Sequence, residues 1–504
     1  MGDIETQVLV VGSGPAGVML AYELALAGVG VTVIDKLASP PTRSKEVGVP
    51  VRAVEILEQR GLLADVAQRA NAQLPDAHFG QLPVPLRYDG WHARHPYALG
   101  LPHLVLVEVL EARLAERFGV RVLRGYQLTG LAQDDAGVTA TAQEPDGELA
   151  IRCSYLVGCD GGRSTVRELA GIAFPGTDGT ISSIVAEVRV GSPSDWVSGQ
   201  WHSVEQLFHQ HRSGDGFAVL IPQPDGLHRL AGTDLANLPD DRDAPVTEEE
   251  IRDLVRKSFS DEVEIAEVLW AARFTDATRQ AERYRSGRIL LAGDAAHVNF
   301  PANGQGLNLG VLDAVNLGWK LAAQCRGWAP AGLLDSYDME QRPVAARLLD
   351  NTKAQVEVMF PNPEKEPLRR TLTTLLEFPV VKRYMAGLVS GLDIRYPMDG
   401  PYHPLLGARM VDVKLDIDAG TRWFSELLHD GRGALVTRDQ RYAEATRPWL
   451  DRISVTEIAE LPDVAADAVL VRPDGYVCWV AAQDDSDKDA LRRLPIALNN
   501  WFGA

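Results

Sequence analysis

The sequence predicts an α/β fold organised around a parallel sheet, and three observations carry that reading. A glycine-rich turn joins an apolar strand to a helix near the N-terminus. A second apolar strand, in GRILLAGDAAH at 287–297, runs into another glycine-rich turn and a long helix. Between them, residues 180–270 are strand-rich and broken by turns such as PQPDG and NLPDD, a pattern that suits an antiparallel sheet.

Residues 7–12, QVLVVG, form a short continuous apolar run, as a strand buried on both faces does. MLAYELALAG at 19–28 has the small and apolar spacing of a packed helix, closed by Gly28 and Gly30. VTVID at 31–35 is the next strand, which completes a βαβ unit. Residues 51–70, with Val54, Ile56, Leu57 and Leu62, read as a second helix and residues 107–118 as a third. Strands alternate with turns through 121–160, a long helix is expected from about Gly306 to Gln324, and 333–390 reads as helical. After YHPLLGARM, short strands return in ALVTR, SVTEI and DAVLVRPDGYVCWVA, as in a small C-terminal α/β domain.

The chain has 504 residues, 50 basic and 69 acidic, for a net charge of −19. A surface so acidic repels phosphate backbones and anionic membranes, which argues against nucleic acid or a membrane as partner. The four cysteines, Cys153, Cys159, Cys325 and Cys478, have neither zinc-site nor CxxC spacing and suit a reducing, cytoplasmic compartment. The N-terminus lacks a basic region ahead of its apolar run, so it reads as a first strand rather than a signal peptide, and no stretch is long and apolar enough to span a membrane.

Three motifs carry the chemistry. In Gly12-Ser13-Gly14-Pro15-Ala16-Gly17, Gly12 permits a tight turn, Gly14 lets the backbone approach a pyrophosphate, and Gly17 lets the helix pack on the strand. Pro15 and Ala16 open a helix whose N-terminus offers free N–H groups and a positive dipole end to phosphate. Asp35 stands where an acidic residue accepts from a ribose hydroxyl, with Lys36 beside it. Asp294 ends the second apolar strand, where a buried carboxylate must find donors. The glycines of NGQGLN at 303–308, with Gly304, Gly306, Leu307 and Asn308, would let a flat ring lie against the backbone. Their N–H groups would stabilise negative charge on such a ring as an oxyanion hole does, or else form an N-cap loop without a ligand. The third motif, Val157-Gly158-Cys159-Asp160-Gly161-Gly162-Arg163-Ser164, is by itself a turn.

Taken together, the three motifs resemble the FAD-dependent aromatic hydroxylases, the class A flavoprotein monooxygenases. HPYAL at 95–99, YLVGCDGGRSTVR at 155–167, RQAERYRSGRILLAGDAAH at 279–297 and HPLLGARM at 403–410 look like the branch that tailors polycyclic aromatic polyketides of the anthracycline, angucycline and tetracycline kinds. The resemblance implies a Rossmann-like FAD-binding domain of the glutathione reductase and p-hydroxybenzoate hydroxylase type in two parts, 1–175 and 276–395. It also implies an antiparallel-sheet substrate domain at 176–275 and a C-terminal thioredoxin-like domain at 396–504, which lacks a CxxC and so is read as structural. It implies FAD as cofactor, NADPH or NADH and O2 as co-substrates, and oxygen transfer to an electron-rich ring from a flavin C4a-hydroperoxide. The cofactor carries the hard chemistry while the protein orients and desolvates.

Residue roles follow from the same resemblance. Asp294 would contact the ribityl or pyrophosphate part of FAD, and Asp160, with Gly161, would support both FAD binding and the reaction with NAD(P)H. Arg43 or Lys45 would neutralise the pyrophosphate, and Arg52 would lie close to the flavin, with Pro301 and Gly304, or else on a helix surface. Trp91, Tyr97, Trp201, Phe217, Ile221, Pro222 and Phe300 are candidate pocket residues, or core. The sequence departs from the family at two places: His103 stands where a glutamine is usual and Pro50 where a histidine is common. His103 either replaces the glutamine as a donor or is a satisfied core histidine. His92, His95 and His103 make no metal site without a carboxylate or thiol partner. Two other reactions fit the motifs: a Baeyer–Villiger oxygen insertion by the same fold, and a flavin-binding protein without catalysis. A monomer or a homodimer is expected, with a small-molecule polycyclic aromatic substrate as the partner.

Overall fold

The computed structural model describes residues 4–44, 47–144, 147–191, 216–236, 244–259, 263–360, 362–417, 420–462, 464–483 and 487–504. Lys45 and Trp201 lie outside the described residues. The main sheet begins with the parallel unit read from the sequence. Strand Ile4–Val11 pairs in parallel with Val31–Asp35 on one side and with Gly147–Gly158 on the other. Val122–Arg124 extends one edge and Ile289–Leu291 the other, both in parallel, so the last strand returns to the first sheet after a long excursion. Val8, Leu9 and Val10 are fully buried, as strands covered on both faces must be.

Helix Pro15–Leu26 and helix Gln305–Cys325 pack against each other on this sheet, and glycines set their separation. A Cβ on Gly318 would come within 2.4 Å of the Glu23 Cβ, and one on Gly310 within 3.3 Å of the Ala16 Cβ. The long helix starts one residue before the expected point and ends one after it. The helix expected over 51–70 is divided, into Val51–Gln59 and Leu63–Ala67, because Gly61 adopts φ +66° between them. Helix His103–Phe118 begins a turn earlier than its apolar pattern suggested, directly after Pro102.

The middle sheet is antiparallel throughout, with Ser182–Val190 between Leu227–Asp234 and Ile265–Thr275, and Gly216–Pro222 at the far edge. Its alternating residues face two ways. Ile184, Ala186, Val188, Ala218, Leu220 and Leu230 meet Ile251, Leu254, Val255 and Phe259 of helix Glu248–Phe259. Ser183, Val185, Phe217, Val219, Ile221, Arg229, Ala231 and Thr233 line a cavity on the other face.

In the C-terminal region, Gly433–Thr437 pairs in parallel with Ile453–Glu457 and antiparallel with Ala466–Val471, which in turn pairs with Val477–Ala482. Helix Asp487–Phe502 covers this sheet through Leu494, Leu498 and Phe502, against Leu435, Leu470 and Trp479. The sheet is joined to the helices that pack on the main sheet by buried charges that the sequence did not disclose. Arg472 donates to Glu340 at 2.6 and 2.9 Å and to Asp474 at 2.5 Å, and Lys320 donates to Glu340 at 2.7 Å. Arg60 binds Glu23 at 2.6 and 2.9 Å and the Pro473 carbonyl at 2.8 Å. Among the described residues no helix is long and apolar enough to cross a membrane.

Candidate functional site

The first half of the site is the turn after strand Ile4–Val11. Gly12 has φ +103°, and a Cβ there would lie 2.3 Å from the Cys159 carbonyl oxygen. A Cβ on Gly17 would lie 2.0 Å from the Gly12 oxygen. Gly14 is different: its φ of −70° is open to any residue, and a Cβ on it would meet nothing within 4 Å. Two of the three glycines are thus required by packing, and the third leaves open space in front of a helix N-terminus. The Asp35 carboxylate accepts from the Ser13 N–H and hydroxyl, both at 2.8 Å, and from the Leu37 N–H at 2.9 Å. The acid is therefore held at the mouth of the turn. Lys36 is exposed next to it.

The Gly293-Asp294 motif corrects one expectation. The strand ends at Leu291, Gly293 turns at φ +62°, and Asp294 falls on a short 3₁₀ turn with an exposed side chain. The buried acid is Asp313, one residue type that sequence reading passed over. It accepts from the Gly293 N–H at 2.9 Å and bonds to His297 Nε2 at 2.7 Å, and both side chains are fully buried. Asp313 thereby fixes the turn that presents Asp294. A Cβ on Gly293 would touch the Ala16 Cβ at 2.9 Å, so this turn and the dinucleotide helix converge. Asp160 accepts from the Ser164 hydroxyl at 2.5 Å and the Val166 N–H at 3.1 Å. It caps its turn, as its sequence alone suggested, while burial raises its pKa and these bonds oppose the rise. Gly161, at φ +85°, completes the bend.

The second half is a cavity of about 340 Å³ between the middle sheet and the fold built on the parallel sheet, within the range of small-molecule sites. The sheet contributes Phe217, Val219, Ile221 and Phe274, the opposite wall Gly48, Val49, Pro50, Phe300, Pro301 and Gly304. Met359 and Phe360 close one side, and Phe360 meets the rings of Phe217 and Phe300 edge-on at 5.9 and 6.1 Å. Pro50 and Gly304 are neighbours: a Cβ on Gly304 would lie 3.4 Å from the proline ring. The long helix begins here, and the N–H groups of Gly306 and Leu307, in its first turn, have no acceptor within the helix. Leu307 contributes only backbone, since its side chain is in the core.

Polar groups gather at two places on the lining. Asp76, His78, Gln81 and Tyr88 form one end. Asn303, at φ +55°, donates to the His78 carbonyl at 3.0 Å and to Gln355 at 3.1 Å. Burial, helped by the Asp76 charge, pushes the Tyr88 hydroxyl well above its usual range. On the sheet, the Ser183 and Thr233 hydroxyls pair at 2.5 Å, and Arg229 donates to Glu187 at 3.3 Å.

Several candidates lie elsewhere. Arg52 is fully buried but turned away from the cavity, toward Glu55 at 3.0 Å, the Asp474 carbonyl at 3.3 Å and the Tyr476 ring. Its charge is met by Glu55 on its own helix and by the Asp474 carbonyl and Tyr476 ring of the C-terminal region. The Asn308 side chain accepts from the Ala53 N–H at 3.0 Å and donates to the Ser390 carbonyl at 3.1 Å, so it ties three helices together. Trp91 donates to the Arg383 carbonyl at 3.1 Å and packs on Gly387. The Tyr97 hydroxyl pairs with His95 at 3.0 Å. Pro222 ends its strand beside the lining residue Ile221 and does not itself line the cavity. Arg43 pairs with Glu187, and His103 Nδ1 bonds to the Ser44 hydroxyl at 2.7 Å, which ties the helix start to the loop before it. Arg229, Asp76, His78, Gln81 and Asn303 were missed. Alternation along 227–234 places Arg229 on one face, but nothing local says which face meets a cavity.

The glycine turn, the open front of Gly14, the held Asp35 and the glycine-opened helix at the cavity fit FAD: each offers space or donors where a dinucleotide with a flat ring needs them. Comparison with known proteins agrees. Residues 5–352 match a family model described as FAD binding domain, and residues 403–504 match one described as aromatic-ring hydroxylase, C-terminal. The chain is 43% identical to the 12-dehydrotetracycline 5-monooxygenase/anhydrotetracycline 6-monooxygenase of Streptomyces rimosus, over 98% of each chain. It is 41% identical to the rifampicin monooxygenase of Streptomyces venezuelae, over 99% of this chain and 98% of the other. The solved anhydrotetracycline hydroxylase of Streptomyces rimosus superposes with a TM-score of 0.89 at 41% identity, over 99% of this chain and 100% of that one.

Proposed function

The chain belongs to the FAD-dependent aromatic-ring hydroxylases, and on that premise we propose that it hydroxylates a polycyclic aromatic polyketide. The enzyme is an FAD-dependent monooxygenase that uses NAD(P)H and O2. The observation that carries the substrate reading is the cavity: a largely apolar, aromatic-rich lining between the middle sheet and a helix N-terminus on the FAD-type fold, with a small number of polar groups. The names of the relatives, which act on anhydrotetracycline and rifampicin, support an extended ring system. They do not favour the oxygen-insertion alternative.

FAD, when bound, supplies the redox chemistry that passes electrons from NAD(P)H to O2 and one oxygen atom to the ring. The protein's own residues bind, orient and exclude water. Gly14 and the helix behind it receive the pyrophosphate, and Asp35 the ribose. The N–H groups of Gly306 and Leu307 offer donors to negative charge at the cavity wall, a form of electrostatic stabilisation that costs no reorganisation. Phe217, Phe274, Phe300 and Phe360 keep the reacting region dry, which protects an oxygenating species from water. Asn303 and Pro301 shape the wall, and we place Asp294, presented by the Asp313-held turn, toward the cofactor.

The experiment is NAD(P)H oxidation by the FAD-loaded protein, with and without a panel of tetracycline-, anthracycline- and angucycline-type precursors, followed by product mass. Stimulated oxidation with a product heavier by one oxygen is the expected result. Bound FAD with no stimulation by any polycycle would show that the substrate class is wrong.

A further inference from the structure

We propose that Arg229 sets the specificity of the cavity by anchoring an acidic oxygen, such as that of a phenol, enol or carboxylate, at one end of an elongated polycyclic substrate; this rests on the hydroxylase reading above. Arg229 lies on the cavity face of strand Leu227–Asp234 and is only 3% exposed. Its guanidinium donates to the Ser44 carbonyl and to Glu187, while its Nε is buried and has no hydrogen-bond partner among the described residues. A buried donor without an acceptor is costly until one is supplied.

Charge points the same way. Glu187 gives one carboxylate oxygen to Arg43 and the other to Arg229. Two guanidinium groups thus share one carboxylate, so Glu187 leaves Arg229 only partly neutralised, with the Trp270 ring 5.6 Å from its guanidinium as a further neighbour. An acidic oxygen satisfies both the charge and the spare donor, through a bond stronger than a neutral carbonyl would form. Arg229 is paired with Ile221 on one side and Glu187 on the other, and Ala231 follows on the same face. The anion so held is attached to an apolar body, and the aromatic substrate fits this better than a nucleotide.

The far end of the same strand sets a length. Thr233 lies on the same face as Arg229 and bonds to Ser183 at 2.5 Å. Four residues of strand span about 13 Å, roughly the length of three to four linearly fused six-membered rings. A substrate held by an acidic oxygen at Arg229 therefore reaches the hydroxyl pair with its opposite edge and lays its apolar middle on Val219 and Ala231.

The test is equilibrium binding to the FAD-loaded protein, read by the change in flavin absorbance, with a tetracyclic phenol and its O-methyl ether as probes. The wild type is expected to prefer the phenol. Arg229→Gln should weaken phenol binding about 10- to 100-fold and ether binding by no more than about 2-fold. Arg229→Lys should restore part of the loss, and Glu187→Gln, which removes the competing carboxylate, should tighten phenol binding. FAD affinity is measured in each variant, because Arg229 also holds the Ser44 carbonyl. A wild type that binds both probes alike or neither, an R229Q loss equal for both, or an E187Q variant with weakened phenol binding would overturn the proposal. Binding needs no reductant, so a phenol preference that depends on Arg229 without any oxygenated product would keep the anchor and overturn the hydroxylase reading.

Discussion

At the scale of single residues, the three glycines of the first turn make different demands. Gly17 has a backbone oxygen 2.0 Å from where a Cβ would stand, whereas Gly14 has nothing within 4 Å and an ordinary φ. Gly14→Ala should leave the apoprotein within about 0.5 kcal/mol of wild type and weaken FAD binding at least about 10-fold, because the added methyl enters the space for the pyrophosphate. Gly17→Ala should cost roughly 3 kcal/mol or more in the apoprotein itself, since backbone must move to admit the methyl. Chemical denaturation of both apoproteins and flavin fluorescence titration check the pair. A Gly14→Ala apoprotein as unstable as Gly17→Ala would remove the assignment of Gly14 to the cofactor. The packing roles of Gly12 and Gly17 were legible in the sequence because a turn between a strand and a helix is a local event, decided by neighbours in the chain. Asp294 and Asp313 show the converse. The motif drew attention to the exposed acid, but the buried one that orders the turn sits on the next helix, and its pairing with His297 depends on how that helix lies across the sheet.

At the scale of elements, helix Gln305–Cys325 links the cofactor fold to everything packed on it. Its N-terminus opens on the cavity, its Gly310 and Gly318 face helix Pro15–Leu26, and its Asn308 holds the start of helix Val51–Gln59. A methyl on Gly318 would come 2.4 Å from the Cβ of Glu23, the residue that holds Arg60. Gly318→Ala should therefore cost about 1–3 kcal/mol, seen as a lower Tm, and should loosen the Glu23–Arg60 pair. An unchanged Tm would mean that the two helices can separate without penalty. The helices themselves were readable from periodicity, and the long one was placed to within a residue at each end. Arg52 was not readable in its role. The resemblance implied a place beside the flavin or else on a helix surface, yet a helix of nine residues presents its side chains to several neighbours, and here Glu55 and the C-terminal region take Arg52.

At the scale of the whole molecule, a buried charge network joins the C-terminal region to the cofactor fold. Burial alone would push the Glu340 carboxyl up, but Arg472 and Lys320 together bring it down from 4.5 to about 2. A carboxylate depressed in the folded state stabilises it above the unfolded pKa and loses that contribution as pH falls through the folded one. Glu340 therefore contributes roughly 3 kcal/mol at neutral pH, and this should drain away between about pH 4.5 and pH 2. Glu340→Gln should lower stability at neutral pH by about 3–5 kcal/mol, since Arg472 and Lys320 stay buried without their partner, and should flatten the loss in that acid window. Denaturation of both proteins at several pH values checks this; a wild-type curve no steeper than the variant's would contradict it. None of this network was visible beforehand, because Lys320, Glu340 and the Arg472–Asp474 pair lie on three separate stretches of the chain and meet only in the folded molecule.

The proposed reaction transfers one atom of O2 to an aromatic ring held between the middle sheet and the cofactor fold. The most direct measurement is turnover of a polycyclic substrate by the FAD-loaded enzyme under isotopically labelled O2, with mass analysis of the product. One labelled oxygen in the product and none taken from water is the expected result. Reductant consumed with hydrogen peroxide released and an unlabelled product would contradict it.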